Sequence, residues 1–223
     1  MATRFVTPEL FRFLRELRAH NERAWFEANR ERYLTCVRDP MLGFIAGVGA
    51  GLARISPHLV ADPRPSGGSL LRIYRDTRFS RDKTLYKTNV GLRFGHGAGK
   101  DLHGPGYYLH LAPGEVFMGA GIWRPDPETL RAIREAIVKD PRGWRRARRS
   151  PLRHGETALR RAPRGFDPEH PLVEDLKRTS FTVGRPFTEA QACAPTFPAQ
   201  FVRACRGEAA LMRFLAKAVG LPF

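Results

Sequence analysis

The hydrophobic period of this chain changes once, and the change limits what it can fold into. Up to about residue 55, apolar side chains recur every three to four positions; after "DPRPSGGS" (62–69) they recur every second position. The first spacing gathers side chains on one side of a helix, and the second puts them on one face of a strand. A helical block followed by consecutive short strands implies an α+β chain rather than alternating strand–helix–strand units.

In the helical block, Thr7-Pro8-Glu9 supplies an N-cap, a proline at the first helical position and an acid in the first turn. Leu10, Phe13, Leu14 and Leu17 follow at helical spacing. Asn21 is placed to cap a second helix carrying Trp25, Phe26, Asn29 and Tyr33, with its end before Pro40. A third helix is predicted over about 41–55. Its Gly43, Gly47 and Gly51 share one face, which would let another backbone approach closely. Beyond the loop, Leu71 and Ile73 alternate with Arg72 and Tyr74, and Thr88, Val90, Leu92 and Phe94 with Lys87, Asn89, Gly91 and Arg93. Tyr107, Leu109 and Leu111 alternate with Tyr108 and His110. Val116, Met118, Ala120 and Ile122 alternate with Phe117, Gly119, Gly121 and Trp123. "APGE" (112–115) is a turn between the last two runs.

Asp126-Pro127-Glu128 starts another helix, with Leu130, Ile133, Ile137 and Val138 on its buried side. A further strand is predicted over 180–185, and two helices over 198–206 and 208–219. The fold class is α+β: an antiparallel meander sheet of four to five strands packed against N-terminal and C-terminal helices, in one domain spanning 1–223.

The chain has 223 residues, 42% hydrophobic and 27% charged, which suits a folded domain rather than disorder. Its net charge of +16 favours polyanionic or phosphorylated partners. The excess is almost all arginine, so a compositional bias accounts for part of it. Cys36, Cys193 and Cys205 form neither a disulfide framework nor a zinc-ribbon spacing. The N-terminus lacks a signal-peptide run, and "GFIAGVGAGLARI" is too short to span a bilayer, so a cytoplasmic protein is expected.

The mixed face of the sheet is where a site would be built. Gly91, Gly119 and Gly121 leave room above it, Tyr108, Phe117 and Trp123 offer walls, and Arg72, Lys87 and Arg93 supply cationic donors. It continues into "RIYRDTRFSRDKTLYKT" (72–88), a charged run without helical spacing. Arg72, Arg75, Lys83 and Lys87 would hold an anion, with Arg78 and Tyr86 in the same loop, while Tyr74, Tyr108 and Trp123 shape the pocket. Asp76 and His110 are the acid–base candidates, because histidine titrates near neutrality and a carboxylate can orient it. A structural alternative pairs Arg75 with Asp76 and Arg81 with Asp82 in a buried ion network.

Other motifs fail on spacing. "GHGAGKDLHG" (95–104) lacks the first glycine and the hydroxyl residue of a phosphate loop, and no HExxH or GxSxG occurs. No metal site and no cofactor is implied. Ser80 reads as a turn cap sooner than as a nucleophile. The second basic cluster, Arg142, Arg145, Arg146, Arg148 and Arg149 around Trp144, has the composition of a nucleic-acid grip or of a solvated helix.

The 72–88 run resembles the signature of an uncharacterised family of bacterial, archaeal and fungal proteins, the domain-of-unknown-function family numbered 2461. "NERAWFEANRERY" (21–33), "GPGYYLHLAP" (104–113), "GAGIWRP" (119–125) and "APRGFDPEHP" (162–171) match it as well. Leu85 stands where that family usually has proline, and Ala120 interrupts a usual glycine triplet. The resemblance implies a stand-alone domain and weight on Arg72–Thr88; it brings no catalytic residues. Side-chain chemistry then leaves three readings: an anionic small-molecule site, a nucleic-acid binder, or a partner-binding module with a structural Arg/Asp network. No membrane partner is expected, and oligomeric state has no signature here.

Overall fold

The computed structural model describes residues 3–76, 78, 82–97, 104–150 and 158–223. α1 (Pro8–Ala19) begins after Thr7, whose side chain makes no capping bond, and buries Leu10, Phe11, Phe13, Leu14 and Leu17. α2 (Arg23–Ala28) and α3 (Arg30–Tyr33) lead through a π-helical turn, Leu34–Arg38, into α4 (Asp39–Ala53). The expected break at Pro40 does not occur. Pro40 lies in the first turn of α4, where its missing N–H is tolerated, and the π turn absorbs the register. The resulting helical run, 30–53, is long and apolar enough to cross a membrane by length and composition, unlike the shorter stretch read from sequence. Its Met41, Phe44, Ile45, Val48 and Leu52 are instead core residues. The glycine face of α4 receives side chains rather than a second backbone: a Cβ on Gly43 would lie 2.9 Å from the Phe5 ring, and one on Gly51 2.9 Å from both Val202 methyls.

β1 (Val90–Gly95), β2 (Gly106–Ala112), β3 (Glu115–Ile122) and β4 (Phe181–Phe187) form an antiparallel sheet in the order β1-β2-β3-β4. Pro113 followed by Gly114 at φ 80° makes the β2–β3 turn, the left-handed position for which glycine is suited. The strand predicted at 71–74 is not part of this sheet. That segment is extended but touches β1 only through the bridge Leu70↔Leu92, and then pairs Tyr74 with Tyr86.

α5 (Pro127–Lys139) is capped by the Asp126 carboxylate, which accepts from the Glu128 and Thr129 amides. Its buried side carries Ile133, Ile137 and Arg134, while Val138 is exposed. α6 (Pro141–Ala147), α7 (Val173–Leu176), α8 (Glu189–Ala192), α9 (Phe197–Gly207) and α10 (Ala209–Ala218) complete the helices. α1 packs on β2, and α9 and α10 on β3. The helical layer therefore covers the face that carries Leu92, Phe94, Tyr107, Leu109, Met118, Ile122, Phe181 and Val183, all buried.

Candidate functional site

Strand register assembles the opposite face. Gly91 lies across from His110, which lies across from Phe117; Arg93 lies across from Tyr108, which lies across from Gly119. Partners directly across a ladder project to the same side, so these residues share the surface away from the helices. The extended segment after Ser69 lies along β1. The Leu71 amide donates to the Gly91 carbonyl at 2.9 Å, and the Arg93 amide to the Ser69 carbonyl at 2.8 Å. A cleft of about 370 Å³ opens here, with Gly91, Tyr108 and His110 among its lining residues. Leu71, Arg75 and Asp76 line it from the extended segment, and Lys87 and Asn89 from the approach to β1. Gly91 has a packing reason: a Cβ there would stand 2.7 Å from Tyr108 Oη.

The second wall is held by a residue expected to cap a helix. Asn21 does not cap α2, whose first flanking residue is Glu22. Its side-chain amide donates to the Tyr86 carbonyl at 3.0 Å, and its Oδ1 accepts from the Tyr86 amide at 2.9 Å. The Tyr86 ring stacks on Phe26 with centroids 4.2 Å apart. One side chain from the helical block thus fixes the backbone next to Lys87.

Charges in the cleft fall into two groups. Arg75 pairs with Asp82 and also donates to the Thr84 hydroxyl. Arg78 donates to both Asp76 oxygens, at 3.0 and 2.7 Å. The Arg78 side chain, with help from its amide, holds the Asp76 carboxyl at about 2, so it is ionised across the physiological range. The Thr84 amide, and then Arg75, hold Asp82 at about 2 as well. The pairing is crossed relative to the Arg75–Asp76 and Arg81–Asp82 network read from sequence, and it is not buried. Arg78 is 77% exposed and Asp82 56% exposed; Arg81 lies outside the described residues. Exposed pairs of this kind add little to stability, because solvent screens them.

Lys87 differs. Its ammonium donates to the Arg72 carbonyl at 2.9 Å and has no carboxylate partner among the described residues. Partial burial, and then the positive charge of Arg72, push its pKa down. Arg72 is exposed. Two cations therefore neighbour each other, one half-buried; the carboxylate that Arg72 acts on, Asp76, is already gripped by Arg78.

On the floor, His110 stacks on Phe117 at 4.8 Å with a 12° interplanar angle. Tyr108 Oη lies 3.3 Å from His110 Nδ1 and is also hydrogen-bonded to Asn89. Burial, with the nearby Glu115, raises the Tyr108 hydroxyl to about 12. Glu115 Oε2 is 3.8 Å from His110 Nε2. Ionised as it is, Asp76 is a weak base near neutrality and an effective hydrogen-bond acceptor.

The structure therefore brings Arg75, Asp76, Lys87, Tyr108 and His110 into one cleft, with Arg72 beside it. Tyr74 is half-exposed against Phe26 and Tyr86. Arg78 and Lys83 are exposed in the charged loop. Tyr86 is 2% exposed, its ring in the core, and it does not line the cleft. Trp123, 63% exposed under the Arg124 guanidinium, lies six residues along the strand from Phe117, roughly 20 Å at strand rise. Asn89 and Gly91 were legible as neighbours of Lys87 on the mixed face. Leu71 was not, because its segment left the sheet. Asn21 carried no signal beyond its helix-cap residue type.

Ser80 and the 98–103 part of the glycine-rich loop lie outside the described residues. Among the described residues, no group of three histidine, cysteine, aspartate or glutamate side chains could hold a metal ion. In the second basic cluster, Trp144 is fully buried and donates from Nε1 to Asp175 at 2.8 Å. It offers no ring for stacking a base.

Among curated proteins and among solved structures, nothing matches this chain. One family model does, over residues 9–214, including the cleft and its Asn21 support. That match spans nearly all of the sequence, and the chain belongs to the family described as conserved hypothetical protein, domain of unknown function 2461.

Proposed function

We propose that the cleft between the extended segment and the open sheet face binds a small phosphorylated or carboxylated molecule, in a protein of the cytoplasm. The observation that carries this reading is an excess of cations over carboxylates at the edge of a concave site, where Lys87 has no carboxylate partner among the described residues and Arg72 beside it shares Asp76 with Arg78. Arg75 and Asp82 cancel, as do Asp76 and Arg78, and those two cations remain. Half-burying an ammonium beside another cation is unfavourable, and an anion placed between them relieves both terms. A volume of about 370 Å³ suits a small metabolite.

Lys87→Met keeps the hydrophobic stem and removes the charge. Calorimetric titration with a panel of phosphorylated and carboxylated metabolites should show at least one ligand that wild type binds and the variant binds about 10- to 100-fold more weakly. That range corresponds to one charge-assisted hydrogen bond, about 1.5–3 kcal/mol. Equal affinities in wild type and in a folded variant would overturn the assignment. The buried Trp144 speaks against the nucleic-acid alternative, which predicts instead that a single-stranded oligonucleotide binds tightly and is released by moderate salt.

A further inference from the structure

We infer that the ligand of this cleft is a phosphorylated sugar or polyol, recognised at its anionic end by Lys87 and Arg72 and at its hydroxyls by Asp76 and Asn89. The inference rests on the anion-site reading above and narrows it.

A bare oxyanion fits this site poorly, because a carboxylate that stays ionised, Asp76, lines the same cleft as Lys87. An ionised carboxylate only accepts hydrogen bonds, and two oxygens offer about four lone-pair positions. Arg78 occupies two positions on Oδ1, through its amide and Nε, and one on Oδ2, so about one acceptor position is left, on Oδ2. The group that meets Asp76 must therefore be a donor. It need not be a cation, since Arg78 already balances the carboxylate's charge, so a neutral hydroxyl suffices where an ammonium would add a charge without a counter-charge. The net charge left over is positive and lies at Lys87 and Arg72, which selects a ligand that is anionic overall rather than zwitterionic.

The remaining lining agrees with a polyhydroxylated body. Asn89 can both donate and accept, and is tied to the Tyr108 hydroxyl. Tyr108 and the His110 ring, set at 49° to each other with His110 stacked on Phe117, give aromatic surface against which the C–H face of a sugar can lie.

Titrations at fixed ionic strength would use wild type, Asp76→Asn and Lys87→Met, with four probes: ribose 5-phosphate, inorganic phosphate, free ribose and serine. Ribose 5-phosphate should bind wild type at least ten-fold more tightly than inorganic phosphate, with ribose and serine undetectable. Asp76→Asn should erase most of that ten-fold preference while leaving phosphate affinity equal or higher, because a negative charge has gone. Tyr108→Phe, which removes only a hydroxyl, should reduce the preference too, and serves if Asp76→Asn fails to fold. Equal affinity for ribose 5-phosphate and phosphate, both dependent on Lys87, would overturn this inference and leave the anion site standing. Binding of serine would overturn it in favour of a zwitterion. No Lys87-dependent binding of either phosphate compound would overturn this inference and confine the anion-site reading to carboxylated ligands, which the metabolite panel tests separately.

Discussion

At the scale of single residues, the charged loop holds two ion pairs among its described residues, Arg75 with Asp82 and Arg78 with Asp76, with Lys87 and Arg72 outside them. Asp76 titrates low because Arg78 grips both of its oxygens, so its titration reports on that grip. A carboxyl whose folded pKa is depressed adds stability above the unfolded value and loses it as pH falls toward the folded one. For Asp76 that window runs from about 3.8 down to about 2. Carbon-detected NMR of the aspartate side chains should give a midpoint near 2 in wild type and one moved up toward 3.8 in Arg78→Ala. An unmoved midpoint would mean that the Arg78 contact does not hold the carboxylate in solution. Both partners are exposed, so the same substitution should change global stability very little. Had these pairs formed the buried network that the sequence also allowed, removing one partner would have cost about 3–5 kcal/mol.

At the scale of elements, the cleft depends on two pieces of chain being held against the sheet. The extended segment is held by backbone bonds to β1, and the approach to β1 by the Asn21 amide. Asn21→Ala removes both bonds to Tyr86 and leaves a part-buried amide and carbonyl to find other partners. We expect a loss of about 1–3 kcal/mol in denaturant unfolding, together with weaker ligand binding through a loosened Lys87. A variant as stable as wild type would show that the packing of Tyr86 on Phe26 suffices. Gly91→Ala tests the floor. The new methyl would press on Tyr108 Oη at 2.7 Å and Cε2 at 2.9 Å, so the tyrosine must shift into the cleft. The fold should persist and cleft affinity should fall; unchanged affinity would remove Tyr108 from the site. Gly121 is the more severe position. It sits at φ 129° with a carbonyl 1.9 Å from where a Cβ would be, so Gly121→Ala should impair folding itself, measured as soluble yield and melting temperature.

At the scale of the whole molecule, helices cover one side of the sheet and the charged loop meets the other. The helical side closes around large buried rings, and its buried carboxylate Asp175 is paired. Asp175, 4% exposed, accepts from Trp144 Nε1 and Arg148 and lies 3.5 Å from Arg178 Nε. Trp144→Phe keeps a ring in the core and deprives a buried carboxylate of a donor. It should cost about 1–3 kcal/mol, seen as a melting temperature lowered by several degrees. No loss would show that the two arginines satisfy Asp175 alone. The same burial explains why the second basic cluster misleads when read as a string: its arginines surround an aromatic residue that belongs to the core.

The sequence by itself determined the α+β class, the meander and the two faces of the sheet, because alternation at period two is a local property that any strand pairing must respect. It also placed Asp76, Lys87, Tyr108 and His110 on or beside the face that carries the cleft. Tertiary structure decided what depends on contacts between distant parts of the chain. The 71–74 segment became a lid-like wall rather than a strand because only isolated bridges join it to its neighbours. Asn21 left its helix to clamp a backbone 65 residues away, and Tyr86 and Trp144 turned from site candidates into core. Residue type and spacing are the same for an aromatic that stacks on a ligand and one that packs on Phe26 or Phe181. Which partner it meets is set by long-range packing, which no local pattern encodes.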